Sequence, residues 1–235
     1  SKDNLIDLKT VTTLADLQTK IDAIPDEVPG EVPGEVPSET FTLTTGVDDL
    51  KGTDNADLFK AVNSSVVSEG TLQVADKIDG LAGNDRLDLT MSQSFTGFTT
   101  GSVKNVETIN IVNSSTTEIN FDATGVTGAT KYTIDGTKAA VTLSDLASLA
   151  DVEVTGSSKA ANVNVAYDIA STVVAGTQTD TQKLKVTDIG SANTKTDGTD
   201  DAKVGAVSIA KVEAIEITTA GTANTLNLAG VADAK

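Results

Sequence analysis

In Val106-Glu107-Thr108-Ile109-Asn110-Ile111 the last four residues alternate polar and apolar, the period-two pattern of a half-buried strand. The stretch returns as Val212-Glu213-Ala214-Ile215-Glu216-Ile217. The residues downstream of it return too: Ile119-Asn120-Phe121 and Gly125-Val126 are echoed by Leu226-Asn227-Leu228 and Gly230-Val231. The offset stays near 106 residues throughout, and a weaker copy, Val152-Glu153-Val154-Thr155, lies between. Recurrence of one strand–turn–strand unit predicts stacked rungs, a parallel β-solenoid with many short strands. A β-sandwich is the alternative, because turns every 8 to 14 residues or so fit both. The second copy reaches the C-terminus, an expectation that a longer protein continues beyond it.

Composition agrees with an all-β fold. Thr and Val are abundant, both β-branched and suited to a pleated surface. Aromatics make up only 3% of the 235 residues, so the expected core is thin and aliphatic. Short alternating runs begin at Thr40, among them Phe41-Thr42-Leu43-Thr44 and Asn162-Val163-Asn164-Val165.

The first 39 residues read differently. Leu14, Leu17, Ile21 and Ile24 recur at helical spacing, and Thr13 with Asp16 resembles a capping box, predicting a short helix over residues 13–24. Residues 25–39 carry a Val-Pro-Gly-Glu repeat with all 4 prolines of the chain. Proline fixes φ and the glutamates repel, so this segment reads as an extended linker. The expected organisation is a helical segment at 1–24, a linker at 25–39 and a β domain over 40–235.

Charge and missing residue types exclude several functions. There are 17 basic and 34 acidic residues, a net charge of −17, and no His, Cys or Trp. The acidic balance opposes nucleic acid and anionic membranes, and no apolar run is long enough to insert into a bilayer. Without His or Cys there is no Ser-His-Asp triad, no thiolate nucleophile and no zinc site of the usual kind. Any metal site must use oxygen, which favours hard cations. Ser208-Ile209-Ala210-Lys211 matches the S-x-x-K pattern, but its Ser-Asp-Asn and Lys-Thr-Gly partners are missing. A glycosidase-like carboxylate pair lacks aromatic platforms for sugar stacking. The chain therefore reads as a non-enzyme.

Two turns cluster oxygen ligands: Gly52-Thr53-Asp54-Asn55-Ala56-Asp57-Leu58-Phe59, and Asp79-Gly80-Leu81-Ala82-Gly83-Asn84-Asp85-Arg86-Leu87-Asp88. Both open on glycine, place Asp at the sixth position, and carry a large apolar residue two positions further on. Glycine permits a positive-φ turn that aims carbonyls inward, and Asp supplies charge. Stacked as neighbours, the two turns could share an ion. Asx-turn capping without metal fits the spacing equally well. A third acidic loop, Asp197 to Asp201, lacks EF-hand spacing and reads as solvated.

The second turn resembles one nonapeptide of the RTX (repeats-in-toxin) calcium-binding family, G-G-x-G-x-D-x-U-x, through Gly80, Gly83, Asp85 and Leu87, with Leu81 at the second glycine position. The first is a poorer copy, with Gly52, Asp57 and Phe59 in place and Thr53 and Asn55 where glycines belong. The succession from Phe41 through Asp57, Ala75-Asp76-Lys77-Ile78-Asp79-Gly80 and the Val106 stretch is similar to bacterial surface-layer and large type I-secreted surface proteins of the kind found in Caulobacter and Campylobacter. The likeness is good over residues 40–125 and loose beyond. It implies calcium as cofactor, with Asp57 and Asp85 as first-choice ligands and Asp54, Asp79, Asn84 and Asp88 as second choices. It further implies type I secretion through an uncleaved C-terminal signal to the Gram-negative cell surface, and lattice or adhesive assembly there with copies of itself, with outer-membrane polysaccharide as a further candidate partner. A calcium-stabilised adhesin domain is the competing function. An acidic intracellular domain of halophile type is a third reading.

Overall fold

The computed structural model describes residues 38–135, 139–155, 162–167, 181–189, 205–209, 212, 214–221 and 224–229. These belong to a unit that starts at Pro37. The helix expected over residues 13–24, nearly all of the proline-rich segment and the 197–201 loop lie outside the described residues. Among the described residues the protein is all-β and contains no helix.

The described strands form three sheets in which every pairing is parallel. The first sheet holds β1 (Thr40–Thr42), β3 (Leu58–Asn63), β5 (Arg86–Met91), β7 (Thr108–Asn113), β10 (Lys131–Asp135), β12 (Asp151–Thr155), β14 (Thr181–Thr187) and β16 (Ala214–Ala220), in that order. The second holds β2 (Asp49–Lys51), β4 (Lys77–Asp79), β6 (Ser102–Lys104) and β9 (Val126–Thr127). The third holds β8 (Ile119–Asp122), β11 (Val141–Leu146), β13 (Asn162–Tyr167), β15 (Gly205–Ile209) and β17 (Leu226–Ala229). Parallel strands cannot be joined by a tight hairpin. The chain satisfies this by leaving each sheet for another before it returns one rung further on.

Register turns the alternation of the sequence into columns. Phe41, Phe59, Leu87, Ile109, Tyr132, Val152, Leu184 and Ile217 succeed one another down the first sheet, and Ala61, Leu89, Ile111, Ile134, Val154 and Val186 form the next inward column. From Phe59 to Leu184 the first of these is buried. Leu50, Ile78, Val103 and Val126 come inward from the second sheet, and Ile119, Phe121, Val141 and Leu143 from the third. Each fully buried side chain of this kind contributes about 1.5–3 kcal/mol.

The sparse aromatics are concentrated inside rather than absent from the core. Phe59, Phe95, Phe98, Phe121 and Tyr132 are all buried. Phe41 stacks on Phe59 at 5.1 Å and Phe95 on Phe121 at 5.9 Å.

Both copies of the sequence repeat fall on the same two sheets, β7 with β8 and β16 with β17. The weaker copy is β12 of the first sheet. The ladder, however, carries Ile109 through Tyr132, Val152 and Leu184 to Ile217, not to Ile215. A slip of two residues keeps every side chain on its own face, so the repeat survives in pattern while its register drifts.

Candidate functional site

The two Asp-containing turns join the second sheet to the first, 52–57 between β2 and β3 and 80–85 between β4 and β5. They stack one on the other. The Gly52 amide donates to the Asp79 carbonyl at 2.8 Å, and the Arg86 amide to the Asp57 carbonyl at 2.9 Å. Gly83, at φ 128°, lies so close to the Asn55 peptide that a Cβ would come within 2.6 Å of it. Gly52 and Gly80 serve a different need from the expected positive φ. A Cβ on Gly52 would strike the Gly80 carbonyl and Asp57 Oδ2, and one on Gly80 would strike the Asn105 carbonyl and Asp85 Oδ2. Close approach, not handedness, requires glycine at both. Positive φ falls instead on Gly83 and on Leu81, the latter at φ 70°, where the RTX pattern has its second glycine.

Asp57 and Asp85 are both buried and belong to a staircase of carboxylates. Each accepts the backbone amide of its counterpart one rung earlier. The Glu39 amide donates to Asp57 Oδ1 at 2.7 Å, the Asp57 amide to Asp85 Oδ1 at 2.7 Å, and the Asp85 amide to Glu107 Oε2 at 2.7 Å. Glu107 is a member that the turn motifs do not point to. The staircase ends at Thr130, whose amide and hydroxyl reach the Glu107 carbonyl instead.

The two aspartates differ in how well they are satisfied. Burial opposes the charged form of Asp57, but hydrogen bonds from the Glu39 amide and from the amide and hydroxyl of Thr53 outweigh it, holding its pKa below the usual value. The residue equivalent to Thr53 in the next turn is Leu81. Its left-handed backbone sends its amide to Asp79 Oδ1 at 3.2 Å, and Asp85 Oδ2 is left buried without a partner. Burial, opposed in part by the Asp57 amide and aided by the charges of Glu107 and Asp57, pushes the Asp85 carboxyl up to about 6.

A second corner repeats the device ahead of the second sheet. The Asp48 amide donates to Asp76 Oδ1 at 2.9 Å, and Asp76 Oδ2 accepts the Gln73 amide at 2.7 Å. Asp76 is fully buried, and burial, with the nearby Asp48 charge, raises its pKa. The pattern has a sequence signal. Glu39, Asp48, Asp57, Asp76, Asp85 and Glu107 each stand one position ahead of a strand.

The remaining candidates are placed as follows. Asp54 and Asn84 are exposed in the two stacked turns. Asp79 closes β4 and accepts the Asn105 side-chain amide at 2.8 Å. Asp88 sits apart on the outward face of β5, in an ion pair with Arg86 and a hydrogen bond with Asn110. The structure thus brings Asp57, Asp85 and Asp79 to one corner and takes Asp88 away from it. Among the described residues no three acidic side chains are gathered closely enough to enclose a metal by themselves. A cation here would draw on backbone carbonyls as well as carboxylates. Asp85 Oδ2, buried and without a hydrogen-bond donor, is the oxygen of this corner that a cation would satisfy. Comparison with family models, curated proteins and solved structures finds no match to this chain.

Proposed function

We propose that this chain is a calcium-stabilised structural module of a bacterial surface layer, folded as a parallel β-solenoid and exposed outside the cell. The observation that carries the calcium part is Asp85 Oδ2, a buried carboxylate oxygen with no donor, in a corner already holding Asp57 and Glu107. An unpaired buried anion costs free energy, and a hard cation is the ligand that would offset it. Asp85 and Asp57, with Asp79 and carbonyls of the two turns, would hold the ion. Bound calcium would supply positive charge that cancels carboxylate repulsion in this corner. The remaining work falls to the chain itself: Thr53 and the rung-to-rung amides orient the carboxylates, and Gly52 and Gly80 let the turns close.

The solenoid reading draws on the parallel pairing of every described ladder, since a sandwich is built from antiparallel sheets. A structural role fits a chain without His or Cys, whose buried carboxylates are spent on backbone amides. The surface-layer assignment draws on the resemblance of residues 40–125. Dialysis of the purified chain into calcium, with electron microscopy as the readout, tests it. Two-dimensional sheets are the expected outcome. A chain that remains monomeric in calcium would sink the assembly reading and leave the adhesin domain in its place.

A further inference from the structure

The outward face of the first sheet carries a second pattern, remote from the acidic corner. Where β10, β12, β14 and β16 lie side by side, a groove of about 210 Å³ runs across the strands. Lys131 pairs in register with Asp151, the Val152–Leu184 pair sets Asp151 beside Lys183, and Lys183 pairs with Glu216. One outward column therefore reads plus, minus, plus, minus. The neighbouring column is Thr133, Glu153, Lys185 and Thr218: neutral, minus, plus, neutral.

Among the described residues only part of this charge is paired. Glu153 lies between Lys131 and Lys185 and bonds both, which holds its carboxyl below the usual range. Asp151, Lys183 and Glu216 are exposed, and no ion pair joins them to one another although they adjoin along the ladder.

We propose that this face binds the same face of a second copy of the chain, about a two-fold axis that runs parallel to the strands between β12 and β14. Such an axis reverses the order of rungs and keeps the order of residues along each strand. Lys131 then meets Glu216 of the second copy, Asp151 meets Lys183, Glu153 meets Lys185, and Thr133 meets Thr218. Every charge faces its opposite, in both columns at once. The other face-to-face two-fold, along the stack of rungs, would set Asp151 against Glu153 and Lys183 against Lys185. The charge pattern accepts one arrangement and rejects the other. This deepens the self-assembly part of the function proposed above by naming a contact surface, and it involves none of the residues of the acidic corner.

The test is a charge swap read by sedimentation equilibrium of the full chain in calcium, at low and high salt. Wild type is expected to self-associate, more weakly as salt screens the pairs. Lys183→Glu sets a carboxylate against Asp151 of the partner, and Asp151→Lys sets an ammonium group against Lys183. Each alone is expected to weaken association by at least about tenfold. Mixed in equal amounts the two variants face each other with every charge matched, and association is expected to recover. Both substitutions lie at exposed positions, and unchanged circular dichroism verifies folding. A monomeric wild type, single variants that associate normally, or a mixture that fails to recover would each overturn the proposal. So would a monomeric wild type whose groove binds outer-membrane polysaccharide. Loss of the calcium effect with the charge swap intact would refute the proposed cofactor and leave this interface standing.

Discussion

Gly80→Ala is expected to destabilise the protein by about 3 kcal/mol, the upper part of the range for overpacking a filled interior. The added methyl would be driven into the Asn105 carbonyl and Asp85 Oδ2. The first is backbone fixed by the hydrogen bond between the Gly80 amide and the Lys104 carbonyl, at 3.0 Å, so it cannot step aside as a flexible side chain would. The second is the carboxylate of the staircase itself. Relief requires the 80–85 turn to move away from Asn105 on one side and so toward the 52–57 turn on the other, where Gly83 already lies against the Asn55 peptide. Gly46→Ala is the control, because its methyl would meet only Thr44 Oγ1 at 3.6 Å and should change stability by no more than about 0.5 kcal/mol. Denaturant unfolding of the two variants checks the difference. Equal, small effects would show that the corner does not need its close approach.

The other large effect concerns pH. In chelator, stability should fall as pH rises from about 4 to about 6.5. Asp85 has a carboxyl near 6 in the folded chain and, once unfolded, a value close to the ordinary 3.9 or so. Between those values the folded state holds a proton that the unfolded state has released. The stability this contributes is complete below the unfolded pKa and is lost as pH rises through the folded one. A displacement of about two pKa units corresponds to at most about 3 kcal/mol. Asp57 acts in the opposite sense and at lower pH: its depressed pKa gives stability that is present above the unfolded value and lost on acidification. Asp85→Asn should flatten the neutral side of the profile, since the amide oxygen can still accept the Asp57 N–H. An unchanged profile in that variant would assign the pH dependence to another group, with Asp76, also raised, the next to substitute.

Much of this architecture was legible in the sequence because period-two alternation and turn residues are local signals. Leu87, Leu89 and Met91 point inward in β5 as the pattern demands, and the Val106 and Val212 stretches occupy the same sheet. The two Asp turns stack as their spacing of 28 residues suggested. Other features depend on which residues meet across rungs, and rung length is irregular. Successive rungs of the first sheet are separated by 18, 28, 22 and 23 residues, so no fixed period aligns Asp85 with Glu107. Glu107 was visible as part of the Val-Glu-x-Ile repeat, yet nothing local marked it as the next step of the staircase. Asp48 and Asp76 lack the glycine-rich setting that singles out the other corner. The positive-φ role expected of glycine holds at Gly83 and falls also on Leu81, whereas at Gly52 and Gly80 it is crowding from the neighbouring rung, a non-local fact, that excludes a side chain.

The calcium requirement is the central claim, and thermal melting monitored by circular dichroism tests it most directly. Wild type and Asp85→Asn would be melted in chelator, then with calcium restored, with magnesium at matched concentration as the control. A calcium-specific rise in wild-type melting temperature, worth about 2.7 kcal/mol when calcium is a hundredfold above its dissociation constant, is predicted, with most of it lost in Asp85→Asn. Identical melts in chelator, calcium and magnesium would contradict the account and leave the acidic corners as metal-free caps of the backbone.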